Sequence, residues 1–442
     1  MATGSPIDQA LTFAESSQYE AALRHSAALL EADPRAAVRI LLSSWMLGAL
    51  GDQESAKRGL EVAVERAVDA GNLPLSVAAT CKLREFGGDA AASLALIAKA
   101  FAKGSSRLLD KRGAPPNLPG VGANFTPLSD SLKGKALLEQ AGPIVAASVT
   151  EFAADRGASA PPRLSPQVLF SALDEKGLLA MIEILDVRVV AQGKVLVAEG
   201  STGDEAFFVA RGELDVQKAT GKPGAPPIAL ARLGSGALFG EMALLSRAPR
   251  TATVVAALPS IVLVAKKSDL DRVVTTAPSV GREFAEFCRR RMLENLMRTN
   301  FILRAASPAE RPALIERFTI RTFEPGEKVV SQGSQPDGLH LIALGEVAIV
   351  HNDKSDSTIV AKLGPGEVVG EVALVLRRPA ITDVVAHHPT VTLFLARERL
   401  MELVKAHPKV FVDLYELAVK RDEETSHMAT EEATETDDFV IV

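Results

Sequence analysis

Gly193, Gly200 and Gly212 return as Gly326, Gly333 and Gly345, each 133 residues later, and the step Gly240-Glu241 returns as Gly370-Glu371, 130 residues later. Glycine admits backbone turns that other residues resist, so a repeated glycine frame is a repeated set of turns. Short β-type runs surround the first set: Val187 to Val190, Val195 to Ala198, Ala206 to Ala210 and Glu213 to Gln217, then Ile228 to Leu233, Thr251 to Ala257 and Ser260 to Ala265. Short strands divided by glycine turns predict an antiparallel barrel or jelly roll, and the duplication predicts two in tandem. The change of offset makes one hairpin three residues shorter in the second copy, where Gly221 to Pro227 has no full counterpart near Asn352 to Ser357.

Inside the first barrel lies Phe239 to Val254, FGEMALLSRAPRTATV. Gly240 lets the backbone approach a bound group and opens a helical turn, Glu241 to Leu245, whose first N–H groups have no partner within the turn and suit an anion. Arg250 follows, and its planar guanidinium pairs with two oxygens of a phosphate at once. Glu241 repels a phosphate, so it faces another part of the same ligand, and a sugar hydroxyl donating to the carboxylate is the economical partner. The ligand these residues describe carries a phosphate and a ribose.

Phe239, Gly240, Glu241, Ala243, Leu244, Pro249, Arg250, Thr251 and Ala252 together resemble the phosphate-binding cassette of the cyclic nucleotide-binding domain family. The resemblance implies that Glu241 takes the ribose 2′-hydroxyl, that Arg250 takes the exocyclic phosphate oxygens, and that Gly240, Ala243 and Thr251 line the cradle with Met242 and Ala252 beside them. The implied ligand is cAMP or cGMP, with no metal and no other cofactor. Thr251 offers a hydroxyl to a guanine amino group, and the choice between the two nucleotides stays open. The resemblance also implies a hinge at the helix after the barrel, near Lys267 to Arg272.

The second cassette, VGEVALVLRRPAITDVV, keeps Val369, Gly370, Glu371, Ala373 and Leu374, but Ala380 stands at the position of Arg250 counted from the glutamate. Arg377 and Arg378 fall two to three residues early and reach inward only if their loop is reshaped. The second site therefore reads as degenerate, a structural or partner-binding module that binds nucleotide poorly or not at all.

Residues 7–103 lack strand-like alternation and carry apolar positions at helical spacing, among them Ala22, Leu23, Leu29 and Leu30. Gln18 to Ala22 aligns with Asp52 to Ala56 at an offset of 34, a period that resembles degenerate tetratricopeptide repeats, with a weaker third unit around Pro74 to Lys103. So few units barely cover one another's apolar faces, so the array needs a partner protein or the following domain to complete it. Residues 104–163 are rich in Gly, Ser and Pro and read as a linker, interrupted by a helix from about Ser131 to Asp155 that Gly142-Pro143 breaks or kinks. Lys111 to Ala114 faintly resembles the basic pseudosubstrate of cAMP-dependent protein kinase regulatory subunits, with Pro115 against it. The first barrel domain spans 164–300 and ends in a long amphipathic helix, Asp269 to Asn300. Phe284 and Phe287 on it cap a ligand base or, as is commoner for such aromatics, fill core. The second barrel domain spans 301–421, and the acidic segment 422–442 reads as an extended, disordered tail ending in Phe439 to Val442, a terminal peptide motif or a frayed apolar end.

The fold class expected is multidomain α plus β: a helical-repeat array, then two antiparallel jelly-roll barrels with flanking helices. With 47% hydrophobic residues the chain has ample core, and a net charge of −6 without a basic stripe argues against nucleic acid as main partner. A helix-turn-helix of the kind that follows the barrel in transcription factors resembling the catabolite activator protein is not found after the second barrel. The beginning lacks a signal-peptide pattern, no apolar run nears the ~20 residues that cross a bilayer, and two cysteines make no framework, which together read as cytoplasmic with no membrane partner. Seven histidines scattered along the chain offer no metal-ligand spacing, and no nucleophile and base are grouped, so an enzyme is not expected. The expected function is a cyclic-nucleotide sensor and adaptor that meets a protein partner through its helical repeats. The alternative is a regulatory subunit that inhibits a kinase or other enzyme until nucleotide releases it.

Overall fold

A computed structural model describes residues 5–110, 125–155, 162–220, 225–246, 249–352 and 357–437. Its contacts divide the chain into two units, Met1–Leu244 with Arg250–Ala285, and Leu245–Pro249 with Glu286–Val442. The basic segment from Lys111, the tip of the first barrel's long hairpin at 221–224 and the terminal residues from Asp438 lie outside the described residues.

The first unit opens with α1 (Pro6–Glu15), α2 (Tyr19–Ala32), α3 (Ala37–Ala49), α4 (Gln53–Asp69), α5 (Leu73–Glu85) and α6 (Ala91–Phe101), each packed on its neighbour in sequence. α2 and α4 start 34 residues apart, at the offset read in the sequence. Of the break or kink expected at Gly142-Pro143, the break does not occur: α7 is one helix from Gly134 to Asp155. Pro143 is on the exposed face, so the carbonyl it leaves without a helical donor faces water. On the other face Leu137, Ala141, Val145 and Phe152 are buried, and α7 packs across α2, α3 and α4. Arg66 ties the end of α7 in place, bonding Asp155 at 2.7 Å while its guanidinium lies over the Phe152 ring. The helix expected within the segment read as linker therefore completes the helical layer.

Two further elements, α8 (Glu175–Glu183) and a 3-10 turn at Phe170–Ala172, lead into the first barrel. Its strands are β1 (Asp186–Val190), β2 (Val195–Val197), β3 (Glu205–Arg211), β4 (Leu214–Lys218), β5 (Ile228–Leu233), β6 (Leu238–Phe239), β7 (Thr253–Ala256) and β8 (Ser260–Lys266). They form two antiparallel sheets, β1-β8-β3-β6 and β2-β7-β4-β5, facing each other across Val197, Phe207, Val209, Leu214, Phe239 and Val262. α9 (Glu241–Ser246) lies between β6 and β7, as the cassette requires. The long helix expected after the barrel is two: α10 (Lys267–Thr276) and α11 (Pro278–Thr299). Pro278 cannot donate to the preceding turn, and Ala277 before it adopts φ −135° and ψ 78°, outside the helical region.

The helical layer does not stand apart from this barrel. α5 packs against β1, β3 and β8, and α1 against β1. Asp8 of α1 makes a direct ion pair with Arg211 at the end of β3, with the two residues only 4% and 7% exposed. Arg211 also donates to the Pro259 carbonyl at 2.7 Å, while Asp8 accepts from Ser5 N and Oγ to cap α1. The array's need for a covering surface is thus met in part by the following domain.

The second unit repeats the plan. After α12 (Phe301–Ala305) and α13 (Arg311–Ile315) come β9 (Thr319–Phe323), β10 (Lys328–Val330), β11 (Gly338–Leu344), β12 (Val347–Asn352), β13 (Ser357–Leu363), β14 (Val368–Val369), β15 (Asp383–Ala386) and β16 (Thr390–Ala396). The sheets are β9-β16-β11-β14 and β10-β15-β12-β13, the same order as in the first barrel, with α14 (Glu371–Val375) at the cassette. α15 (Arg397–Ala406) and α16 (Pro408–Asp437) close the unit. The extended tail expected from residue 422 is helical as far as Asp437. The first half of α16 is anchored by buried Val410, Leu414 and Ala418, and a helix once nucleated propagates through good formers such as Ala, Glu and Met.

Truncating one partner of a buried pair strands the other charge, so Asp8→Ala should cost about 3 to 5 kcal/mol in urea unfolding of the first unit, part of it regained when Arg211→Met is added. In the second barrel His340, the counterpart of Phe207 at the 133 offset, is buried against Thr392 Oγ1 at 3.0 Å, and burial pulls its imidazole down to about 4. The unfolded chain takes up that proton first, so stability is full above the ordinary histidine value of about 6.5 and falls as pH drops toward 4, by roughly 3 kcal/mol in all. His340→Phe should flatten that dependence in thermal unfolding across the same range.

Candidate functional site

The cassette of the first barrel begins where β6 ends. Phe239 stacks on Phe207 with ring centroids 5.0 Å apart, fixing the strand end against the core. Gly240 has φ +78°, a left-handed conformation, and turns the chain into α9. Glu241 is 3% exposed, Ala243 is buried and Met242 half-buried. Leu244 packs with Phe170, Phe208 and Phe284 around a small apolar space, so Phe284 is core.

Arg250 enters from the other side of the loop and is 8% exposed. Its backbone is clamped by Gly200 N–H donating to its carbonyl at 2.8 Å and by its own N–H donating to Ser201 O at 2.8 Å. Nη1 donates to the Gly240 carbonyl at 2.6 Å and Nη2 to the Glu205 carbonyl at 2.7 Å. A guanidinium has five N–H groups, so these two bonds orient it and leave three for other partners. Burial lowers its pKa, opposed by the nearby carboxylates of Glu205 and Glu241, so charge on all three is felt in one small volume. Glu205 itself is drawn below the usual carboxylate range by its hydrogen bond to Arg188. A Cβ at Gly240 would come within 2.8 Å of Arg250 Nη1, and one at Gly203 within 2.8 Å of Nη2. The guanidinium lies in a slot that two glycines leave open. Thr251 is exposed and Ala252 half-buried beside it.

The second barrel repeats this backbone bonding. Gly333 N–H donates to Ala380 O at 2.7 Å and Ala380 N–H to Ser334 O at 2.9 Å, the pair of bonds that holds Arg250 in the first. Ala380 is therefore the structural counterpart of Arg250, and a methyl group stands at the origin of the missing fork. Gly370 has φ +88°, Ala373 is buried, and Glu371 is 2% exposed. Burial pushes the Glu371 carboxyl up, and Arg421 opposes that shift. Arg421 comes from α16: its Nη1 donates to Glu371 Oε1 at 2.6 Å and to the Val368 carbonyl at 2.6 Å. Arg377 is exposed, and Arg378 is ion-paired to Asp422 on α16. A cavity of about 300 Å³ opens beside these groups, walled by Val330, Ile349, Leu363, Val384 and Leu417 among others.

The structure thus brings together Phe239, Gly240, Glu241, Met242, Ala243 and Arg250 in one barrel, and Gly370, Glu371, Ala373 and Ala380 in the other. Sequence reasoning missed three participants. Gly203 and Glu205 act on Arg250 through a missing side chain and a backbone carbonyl, which no motif lists. Arg421 was legible: it continues the stripe Val410, Leu414 and Ala418 on one face of α16, where an arginine is out of place unless it meets a carboxylate. Histidines that look scattered in sequence also meet, since donor atoms of His387, His388 and Glu346 lie within 4.8 Å of one another, with the Lys362 ammonium 2.8 Å from His387 Nε2.

Residues 187–277 and 320–407 each match the family described as cyclic nucleotide-binding domain. The fold and these matches agree on a tandem of such domains. The chain is similar to the cAMP-dependent protein kinase regulatory subunit of Mucor circinelloides f. lusitanicus, 30% identical over 51% of this chain and 49% of that one. It is also similar to that of Dictyostelium discoideum, 28% identical over 54% of this chain and 72% of that one. The match thus spans about half the length of the Mucor protein. Among solved structures, the regulatory domain of Toxoplasma gondii PKA with cAMP is 26% identical, covering 58% of this chain and 92% of that one, with a TM-score of 0.27. No helix among the described residues is long and apolar enough to cross a membrane.

Because Gly240 combines a left-handed backbone with contact against Arg250, Gly240→Ala should destabilise the first unit by about 1 to 3 kcal/mol in urea unfolding, the usual strain of a non-glycine residue there.

Proposed function

We propose that the chain is a cyclic-nucleotide sensor, not an enzyme, whose first barrel takes cAMP or cGMP. Arg250 meets the exocyclic phosphate oxygens, Glu241 accepts from the ribose 2′-hydroxyl, and Phe239, Gly240, Met242, Ala243, Thr251 and Ala252 shape the cradle. The observation that carries this reading is the fixed, buried guanidinium of Arg250, held by the carbonyls of Gly240 and Glu205 beside a buried glutamate. A cation buried at that depth with donors to spare suits an anion of matching geometry. The second barrel, with Ala380 at the same backbone position, takes the cyclic phosphate poorly or not at all. The helical layer, here read as tetratricopeptide-like, presents its remaining surface to a protein partner, and nucleotide binding reaches that surface through α1 and α5, which rest on the first barrel.

Loss of a buried charge partner costs about 2 to 5 kcal/mol, so Arg250→Ala in the full chain should weaken binding of radiolabelled cAMP and cGMP roughly thirtyfold to several thousandfold. Unchanged binding by the variant, or no binding by the parent, would overturn the assignment.

A second reading is favoured by the names of the relatives: a regulatory subunit that holds a kinase inactive until nucleotide arrives. Affinity capture with the full chain, with and without cAMP, separates the two. Capture of a catalytic subunit released by cAMP supports the second reading, and a noncatalytic partner supports the first.

A further inference from the structure

Two turns at one end of the second barrel bring nitrogen and oxygen donors together. His387 and His388 follow β15, Glu346 lies between β11 and β12, and donor atoms of all three are within 4.8 Å of one another. The main chain that carries them is fixed. The Glu346 carbonyl accepts from His387 N–H at 2.9 Å, from His388 N–H at 3.3 Å and from the buried Thr390 Oγ1 at 3.1 Å. Both imidazoles therefore rise from one locked turn, with their ring centroids 4.8 Å apart. A cation already sits among these groups: the Lys362 ammonium, on β13, is 2.8 Å from His387 Nε2 and 3.4 Å from Glu346 Oε1. An ammonium has donors and no acceptor, so it is His387 Nε2 that accepts, and the ring presents a lone pair to positive charge.

The first barrel supplies an internal comparison. There Ala257 N–H and Leu258 N–H donate to the Glu213 carbonyl at 2.9 and 3.1 Å, the same turn with other side chains. Arg232 stands in place of Lys362 and pairs with Glu213 at 3.3 Å and with Asp215 at 2.8 Å. The turn thus forms with alanine and leucine, and its fold does not call for imidazoles. What the two histidines add is a pair of nitrogen donors beside a carboxylate. Two imidazoles and a carboxylate make a ligand set for zinc and neighbouring divalent transition ions, whereas magnesium and calcium prefer oxygen throughout. β15 starts at Asp383, close in sequence to Ala380 of the cassette, and ends at Ala386 next to His387, so the cluster lies at the strand end remote from the cassette and shares no side chain with it.

We propose that Glu346, His387 and His388 bind one divalent transition-metal ion, and that the Lys362 ammonium holds its place until the ion enters. Each neutral imidazole gives a nitrogen lone pair, Glu346 gives a carboxylate oxygen, and water completes the coordination. Neighbouring donors on a tetrahedral ion lie about 3.3 Å apart, so the three side chains close in by rotation while the Glu346 carbonyl keeps the turn as it is. The bound ion fastens the turn before β12 to the turn before β16 and stabilises the second barrel by mass action. Lys362 is a competitor in the same equilibrium, since its bonds to His387 and Glu346 must break first. Nothing in this depends on nucleotide binding by either barrel.

The test titrates the untagged full chain calorimetrically with zinc chloride and with magnesium chloride, and follows acylation of each histidine by diethyl pyrocarbonate with mass spectrometry. Zinc is expected to bind at one site and to protect His387 and His388 from acylation, with magnesium at least about a hundredfold weaker. Giving the turn the first barrel's residues, His387→Ala with His388→Leu, should weaken zinc binding at least about a hundredfold while urea unfolding shows a folded chain. Glu346→Gln keeps the carbonyl that locks the turn and should weaken zinc about tenfold or more, which reads the ligand role even where the double variant does not fold. Lys362→Met should tighten zinc about two- to fivefold, the worth of an exposed ion pair. The proposal is overturned if zinc leaves both histidines unprotected, if magnesium binds as tightly, if the folded double variant or Glu346→Gln keeps the parent's zinc affinity, or if Lys362→Met brings no tightening.

Discussion

A guanidinium held inside a small β-barrel must be supported on every side, and much of the first barrel's local chemistry answers that requirement. Two backbone carbonyls, those of Gly240 and Glu205, take two of Arg250's N–H groups, and backbone bonds to Gly200 and Ser201 fix its main chain. Two glycines keep their Cβ positions empty so that the planar group fits. Such support fixes the side chain in place, and under the proposed function it spares the site the ordering of its groups at the moment of binding. The turn glycine, the sheet register and the cassette helix are parts of one arrangement.

The second barrel shows what the same backbone does when that guanidinium is removed. The backbone bonds around Ala380 are kept, because they belong to the main chain and not to the side chain. The carboxylate is kept too, and its burial has to be answered from elsewhere in the unit. Arg421 answers it from a helix fifty residues further on. The buried glutamate and the C-terminal helix are thereby coupled, a relation that neither motif nor helix carries alone. It also accounts for the length of ordered helix in a region whose acidic composition argues for an extended chain: the packed half supplies the nucleus that an isolated acidic peptide lacks.

The helical layer makes a related point about local rules and tertiary packing. Gly142-Pro143 is a helix breaker by its chemistry, yet α7 passes through it, because the proline faces water and the opposite face is held by α2, α3 and α4. Ala277-Pro278 has the same chemistry and does end a helix, since the backbone before the proline turns away from helical values. A proline leaves one carbonyl without its helical donor in both places, and packing decides whether the chain continues. The buried pair Asp8–Arg211 likewise joins two segments about two hundred residues apart that no local pattern relates.

By itself the sequence determined what is periodic or local: the duplicated glycine frame, hence two barrels of the same strand order, the cassette with its Glu241 and Arg250, and the absence of that arginine at Ala380. These are legible because turns, strand alternation and a contiguous motif are written within a few residues of one another. Only the tertiary structure decided that Gly203 and Glu205 support Arg250, that Arg421 meets Glu371, and that the helices rest on the first barrel. The reason is physical: a buried charge is stabilised by whatever group reaches it through space, and the partner's distance along the chain places almost no limit on that reach.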